Sequence, residues 1–89
     1  MARLDMGGAD MASFAGAAPA AEQYFELGIH YATDGDGEAD LIAAHKWFNL
    51  AAIHGNAEAA EHRQQIAREM TAAAIAAAQR AAREWLRTR

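Results

Sequence analysis

The chain has 89 residues and a net charge of −4, and 26 of its residues are alanine, whereas valine and cysteine are absent. This length sets one domain as the upper limit, and the absence of cysteine excludes a disulfide framework and thiolate zinc sites. Because alanine is the strongest helix former and β-branched residues are scarce, the composition predicts an all-α fold.

The first 18 residues are small and polar and include Gly7, Gly8 and Gly16, so we expect a flexible N-terminal tail. The start of the chain lacks the apolar segment that a signal peptide carries. No stretch contains the roughly 18 consecutive apolar residues of a membrane span. These features predict a cytoplasmic protein.

A first helix, helix A, is predicted from about Pro19 to Thr33. Pro19 suits the first helical position, because its missing N–H has no intrahelical partner there. Tyr24, Leu27 and Tyr31 recur at spacings of three and four residues, which places them on one helix face.

Gly28 is unusual because it lies in the interior of helix A, where glycine costs about 1 kcal/mol relative to alanine. Its lack of a Cβ predicts a close approach of the next helix, in which Ala44 and Ala51 are small enough to meet it. Bulky rings are expected to fill the flanks of this contact. These rings belong to Tyr24, Tyr31, Trp47 and Phe48.

The acidic segment DGDGEAD, residues 34–40, ends helix A. Asp40 is a good N-cap for helix B, which is predicted from about Leu41 to His54. Helix B carries an apolar stripe with Trp47 beside it. The stripe consists of Leu41, Ala44, Phe48 and Ala51.

Gly55 fits a left-handed position after helix B, and Asn56 fits the N-cap of helix C, predicted from about Ala57 to Met70. Thr71 can cap helix D. The apolar face of helix D consists of Ile75, Ala78, Ala82 and Trp85. The sequence therefore predicts two antiparallel helical hairpins, A–B over residues 19–56 and C–D over residues 57–89.

Residues 24–31, with the pattern Tyr24-x2-Leu27-Gly28-x2-Tyr31, resemble the tetratricopeptide signature, with tyrosine in place of tryptophan. Over about residues 20–60 the wider pattern is more similar to the Sel-one-like repeat family. The matching positions are Leu27, Gly28, Tyr31, Gly35, Gly37, Asp40, Ala44, Trp47, Ala51, Ala52 and Gly55, followed by Ala57 and Ala60. One position departs from the family, because Glu38 stands where the loop usually has an apolar residue. Residues 61–89 resemble the capping helices of such proteins.

This resemblance implies a tetratricopeptide-like fragment of an α-α superhelix, a binding scaffold of the kind used as adaptors in bacterial assemblies, without catalytic residues. It implies that helix A presents residues to a partner protein or peptide. These residues are Glu22, Phe25, Ile29, Ala32 and Thr33. We expect Phe25 and Ile29 to anchor the partner. The alternative is that these two side chains pack against helix C or the N-terminal tail.

The acidic segment also raises the alternative of a calcium or metal sensor. A helix–loop–helix calcium site needs oxygen ligands at positions 1, 3 and 5, glycine at 6 and glutamate at 12. Counted from Asp34, position 6 is Ala39 and position 12 is His45, so the sharp turn and the bidentate ligand are both missing. The favoured interpretation is a solvated turn between two packed helices.

Enzymatic chemistry has little support in the sequence. The four histidines, His30, His45, His54 and His62, show no spacing typical of a zinc site. The single serine, Ser13, lies outside any nucleophile motif, and no phosphate-binding loop is present. The sequence predicts a protein without catalytic residues, metal or cofactor.

Charge is uneven along the chain, since residues 1–58 carry a net −7 and residues 59–89 a net +3. Arg80, Arg83, Arg87 and Arg89 keep open a further alternative, a small nucleic-acid-binding protein. Cations near a helix C-terminus are, however, also favoured by the helix dipole. The small number of large apolar side chains predicts a marginal monomer, and hence a homodimer or a monomer stabilised by a partner protein.

Overall fold

A computed structural model describes residues 19–33 and 39–89. This part of the chain is all-helical, as predicted. Its helices are α1 (Ala20–Thr33), α2 (Leu41–Ile53), α3 (Ala57–Ala67) and α4 (Ala72–Arg87). None of these four helices is long and apolar enough to cross a membrane. The predicted tail, residues 1–18, and most of the acidic segment, residues 34–38, lie outside the described residues.

Side-chain caps begin three of the helices at the predicted residues. Asp40 caps α2, Asn56 caps α3 and Thr71 caps α4. In each case the side-chain oxygen accepts a hydrogen bond of 2.9–3.0 Å from the backbone N–H three residues later. Pro19 differs from its predicted place inside α1. It precedes the helix, and its carbonyl oxygen accepts from the N–H groups three and four residues later, at 2.9 and 3.1 Å.

The turn between α2 and α3 depends on Gly55, whose φ is +108°. Glycine reaches this region without the steric cost that a Cβ brings, so the predicted special position of Gly55 is confirmed. The N–H groups of Gly55 and Asn56 donate to the carbonyls of Ala52 and Ala51, each at 3.0 Å. These two bonds satisfy carbonyls that the end of α2 leaves without a partner.

Helix α3 is shorter than predicted, because it ends at Ala67 and not at Met70. Beyond Ala67 the chain tightens into hydrogen bonds that span three residues. The N–H of Glu69 donates to the Ile66 carbonyl at 3.0 Å, and the N–H of Met70 donates to the Ala67 carbonyl at 3.1 Å. This tight turn leads directly to the cap of α4.

Helix α2 is the central helix, because α1, α3 and α4 all pack against it. α1 runs antiparallel to α2, as the contacts at their two ends show. At one end the N–H of Asp40 donates to the Tyr31 carbonyl at 3.0 Å. At the other end the rings of Tyr24 and His54 lie 5.2 Å apart. The predicted A–B hairpin is therefore present as α1 and α2.

The second hairpin differs from the predicted one. Helices α3 and α4 follow one another closely in the chain, but each packs mainly on α2 and not on the other. α4 runs parallel to α2, since Ala74 shares a groove with Ile42 near the start of α2, and Trp85 meets Trp47 further along it. Composition explains this arrangement: α3 offers few apolar side chains, whereas the alanine-rich face of α4 can approach α2 closely.

The core is small and centred on α2. Its fully buried cluster consists of Ala44, Phe48, Ala51 and Ala59. Among the described residues, Phe48 and Leu50 are the only large side chains that are fully buried. Partly buried side chains surround the cluster. They are Tyr24, Phe25, Ile29, Tyr31, Ala32, Ala52 and Ile66.

Gly28 is buried in the contact between α1 and α2, and its predicted role as a point of close approach is confirmed. The neighbour is different from the one predicted, because the ring of Phe48, and not Ala44 or Ala51, lies over Gly28. A Cβ added to Gly28 would overlap this ring, with Phe48 Cγ only 2.9 Å away. The phenyl ring therefore fills the space that a side chain at Gly28 would need.

Candidate interaction surface

The five residues predicted to face a partner divide into two groups. In the first group, Phe25, Ile29 and Ala32 are partly buried and pack against the core cluster. The centre of the Phe25 ring lies 5.7 Å from that of Phe48 and 5.1 Å from that of His62. Because His62 belongs to α3, the position of Phe25 agrees with the alternative prediction of packing against the third helix.

The second group consists of Glu22 and Thr33, which are both exposed. Glu22 lies in the first turn of α1, where a carboxylate is favoured by the helix dipole. The Thr33 hydroxyl donates to the Ile29 carbonyl at 2.9 Å, a local hydrogen bond within the last turn of α1. The five predicted residues therefore do not line one open groove, since three of them are used in packing.

The solvent side of α1, called here the α1 outer face, combines an apolar side chain with carboxylates. It consists of Glu22, Gln23, Glu26, Leu27, His30 and Thr33. Leu27 departs from the prediction that it shares a packed face with Tyr24 and Tyr31, because it is 37% exposed. The reason is the position of α4, which makes few contacts with α1 and joins it through Trp85 and Tyr24.

An aromatic cluster formed by Tyr24, Trp47 and Trp85 joins the C-terminal part of α4 to α1 and α2. Trp85 Nε1 donates to Tyr24 Oη at 3.2 Å. The Trp85 ring lies 4.9 Å from the Trp47 ring at 74°, and the rings of Tyr24 and Trp47 are 5.5 Å apart. Such pairs contribute about 0.5–1.5 kcal/mol beyond the burial of their area. The cluster therefore fastens one end of α4.

Two cations of the chain cover this aromatic cluster. Lys46 Nζ lies 4.3 Å from the centre of the Trp47 ring and 5.0 Å from that of Trp85. The guanidinium carbon of Arg89 lies 3.8 Å from the Trp85 ring centre. Each contact of this kind contributes about 0.5–1 kcal/mol at an exposed site. Because the chain's own cations occupy these rings, the cluster is better suited to holding α4 than to receiving a ligand.

The solvent side of α4, called here the α4 outer face, is basic. Arg80, Arg83, Glu84 and Arg87 line a shallow depression of about 350 Å³. Glu84 accepts hydrogen bonds of 2.6 and 2.7 Å from Arg87, an exposed pair that contributes little to stability. Arg80 and Arg83 form no ion pair with another residue of the described segments. Leu86, which is 41% exposed, adds an apolar side chain near these charges.

A larger open groove of about 610 Å³ lies where the start of α2 meets the turn between α3 and α4. It is lined by Ala39, Asp40, Leu41, Ile42, Glu69, Met70, Thr71 and Ala74. Two of its polar side chains, Asp40 and Thr71, are already used as helix caps. The groove is therefore a seam between helix ends, and its lining defines no particular ligand.

His45 is the one buried polar residue among those described, with an exposure of 3%. Its Nδ1 has no hydrogen-bond partner within the described segments. Burial lowers the pKa of this imidazole below its ordinary value, and the charge of Arg63 lowers it further. Arg63 donates to Asn49 Oδ1 at 2.6 Å, which holds its guanidinium between α2 and α3. We conclude that His45 is uncharged at neutral pH.

Within residues 19–33 and 39–89, no group of three or more His, Asp or Glu side chains lies close enough to hold a metal ion. All four histidines of the chain, at positions 30, 45, 54 and 62, lie within these segments. Asp34, Asp36 and Glu38, on which the calcium alternative depends, lie outside these segments.

A scan against protein-family models and searches of curated proteins and of solved structures found no match for this chain.

Proposed function

We propose that this chain is a non-catalytic protein-interaction module of the Sel-one-like repeat type, which binds a basic amphipathic segment of a partner protein along the α1 outer face. The observation that carries the proposal is the exposure of Leu27 on a helix whose solvent side also carries the carboxylates of Glu22 and Glu26. An apolar anchor flanked by negative charge is complementary to a helix that presents leucines together with lysines or arginines.

Several positions of the repeat pattern support the assignment to this repeat type. Gly28 brings α1 against Phe48, Asp40 caps α2, and Gly55 adopts a positive φ between α2 and α3. Each of these residues has a structural role that an antiparallel helical hairpin requires. A scaffold of this kind functions by presenting a fixed helix face to its partners.

The proposed anchor is Leu27, in place of the Phe25 and Ile29 predicted from the sequence. Phe25 and Ile29 pack against the core and hold α1 on its neighbours. Their contribution to binding is therefore indirect, because a rigidly held helix loses little conformational freedom when a partner docks on its outer face.

Binding of two defined peptides to the immobilised full chain tests the proposal. The peptides are helical and share the same leucines, but one carries lysines and arginines where the other carries glutamates. We expect saturable binding of the basic peptide alone, weakened by added salt because the attraction between exposed charges is screened. Leu27→Asn, which removes the apolar side chain without adding charge, should weaken this binding by roughly tenfold or more, about 1.4 kcal/mol.

Ile53→Asn is the matched control, since Ile53 is an apolar residue of the same size that is more exposed, at 57%, on a different helix. This control should leave the affinity for the basic peptide unchanged, and circular dichroism verifies that both variants stay folded. Equal affinity for the two peptides, or an equal loss in the two variants, would contradict the proposed function.

A further inference from the structure

The two outer faces are complementary in charge. The α1 outer face carries Glu22 and Glu26 and has no lysine or arginine, whereas the α4 outer face carries three arginines and one glutamate. Each helix also exposes one leucine, Leu27 at 37% and Leu86 at 41%. Opposite charge around exposed apolar side chains is the arrangement by which two protein surfaces recognise each other.

Within the described part of one copy, the charges of these two faces are not paired with each other. Among the described residues, the ion pair in which these arginines take part joins Arg87 to Glu84 on the same helix. Arg80 and Arg83 are exposed and are not paired with Glu22 or Glu26 of the same copy. A second molecule can therefore supply the opposite charge that each face lacks.

The positions of α1 and α4 allow both faces to be used at once. The two helices are neighbours at the bond of 3.2 Å between Trp85 and Tyr24. They run in opposite directions, because α1 is antiparallel to α2 and α4 is parallel to it. The proposed dimer has a two-fold axis along these neighbouring helices, which pairs each α1 outer face with the α4 outer face of the other copy and closes the assembly.

The small core supplies an independent reason for association. Phe48 and Leu50 are the only large side chains fully buried among the described residues. Small domains bury a low fraction of their surface on folding and are correspondingly marginal. A dimer that covers Leu27 and Leu86 adds apolar burial that one copy does not have.

We infer that the chain forms a two-fold homodimer in which the α1 outer face of each copy binds the α4 outer face of the other. The inference rests on the proposed function, because it names a second copy's α4 as a basic amphipathic partner of the same α1 surface.

Complementary charge reversals of the full chain test this dimer by light scattering and sedimentation at several protein concentrations. One variant carries Glu22→Lys with Glu26→Lys, and the other carries Arg80→Glu with Arg83→Glu. In each variant both outer faces have the same sign, so each alone should dissociate roughly tenfold or more readily than the wild type. An equimolar mixture should form heterodimers, because every α1–α4 contact in the mixed dimer again joins opposite charges.

If the double variants lose helicity, two chains with one substitution each, Glu26→Lys and Arg83→Glu, take their place. Alone and mixed, they should show the same pattern with smaller changes. Glu58→Lys with Glu61→Lys, two exposed positions of α3, is the control for net charge and should dimerise like the wild type. Wild-type chain that stays monomeric at high concentration, or a mixture that forms no heterodimer, overturns the dimer.

The outcomes also separate the dimer from the proposed function and from the nucleic-acid alternative. Monomeric wild-type chain that still binds the basic peptide through Leu27 refutes the dimer and leaves the proposed function standing. Monomeric chain that binds a nucleic-acid duplex, with binding lost in the Arg80→Glu and Arg83→Glu variant, assigns the arginines to nucleic acid and refutes the dimer.

Discussion

Helix α2 is held on two sides by contacts of different kinds. On the α1 side, the fully buried ring of Phe48 fills the space over Gly28. On the α4 side, the residues that α4 itself buries are small, Ala78 and Ala82, and its large side chain Trp85 is only partly buried. The contact between α1 and α2 depends on the close fit of Phe48 and Gly28, whereas the attachment of α4 depends on the aromatic cluster at one end. We therefore expect α4 to detach from α2 before α1 does.

The largest expected effect is that of Phe48→Ala, which breaks the α1 side. Removal of a fully buried phenyl ring costs about 3–5 kcal/mol, because the lost burial is accompanied by a cavity. Against a total stability of about 5–15 kcal/mol, this variant should unfold at much lower temperature and urea concentration, as followed by circular dichroism. Ile53→Ala, at an exposed position, should change stability by less than about 0.5 kcal/mol. Similar costs for the two variants would disprove the assigned core.

Trp85→Ala should have the next largest effect, about 2 kcal/mol, because the ring is only partly buried. The loss should be local, so amide hydrogen exchange should accelerate in α4 while α1 and α2 keep their protection. Trp85→Phe retains a ring but removes the hydrogen bond to Tyr24, and should cost about 1 kcal/mol. Uniform acceleration of exchange across all four helices would show that the two sides of α2 do not open separately.

Gly28→Ala should destabilise the chain by about 1 kcal/mol. Overpacking against the Phe48 ring costs about 1–3 kcal/mol, and about 1 kcal/mol is regained because alanine favours the helix. In a Phe48→Leu background the same substitution should be neutral or stabilising, since the ring that it overlaps is gone. Urea melts of the four chains in this double-mutant cycle measure the coupling. A Gly28→Ala chain more stable than the wild type would refute the close approach.

The smallest expected effect concerns His45 and the pH dependence of stability. Because burial and Arg63 lower the pKa of the folded imidazole below 6.5, the unfolded chain binds a proton first as the pH falls. The free energy of unfolding therefore has its full value above about pH 6.5. It decreases as the pH falls below this value, by about 1 kcal/mol or less within the first pH unit. Thermal melts of His45→Leu should lose this decrease, whereas the exposed control His30→Gln should retain it. An unchanged pH dependence in His45→Leu would assign it to other groups.

The sequence predicted the four helices and the N-caps of three of them, because those features depend on local signals. Asp40, Asn56 and Thr71 cap the helices that they were expected to cap, since a side-chain oxygen needs only the N–H three residues later. Gly55 was predicted for the same reason, because its φ is set within a single turn.

The pairing of helices could not be predicted in the same way, because it depends on which faces meet in space. The apolar face of α4, which includes Ile75, Ala78, Ala82 and Trp85, is compatible with either neighbour, so its pattern alone does not select α3 or α2. The exposure of Leu27 follows from where α4 lies. The contact of Gly28 with Phe48 depends on how far α1 and α2 are shifted along each other. The spacing of apolar residues within each helix does not determine this shift.

Both tryptophans of the chain, Trp47 and Trp85, belong to the aromatic cluster. Intrinsic fluorescence therefore reports on the attachment of α4 and is silent about α3. A melting curve recorded from tryptophan emission alone would register the release of α4 as if it were the whole transition. Emission and helicity that change together would indicate one cooperative unit, whereas an earlier change in emission would reveal a partly opened species.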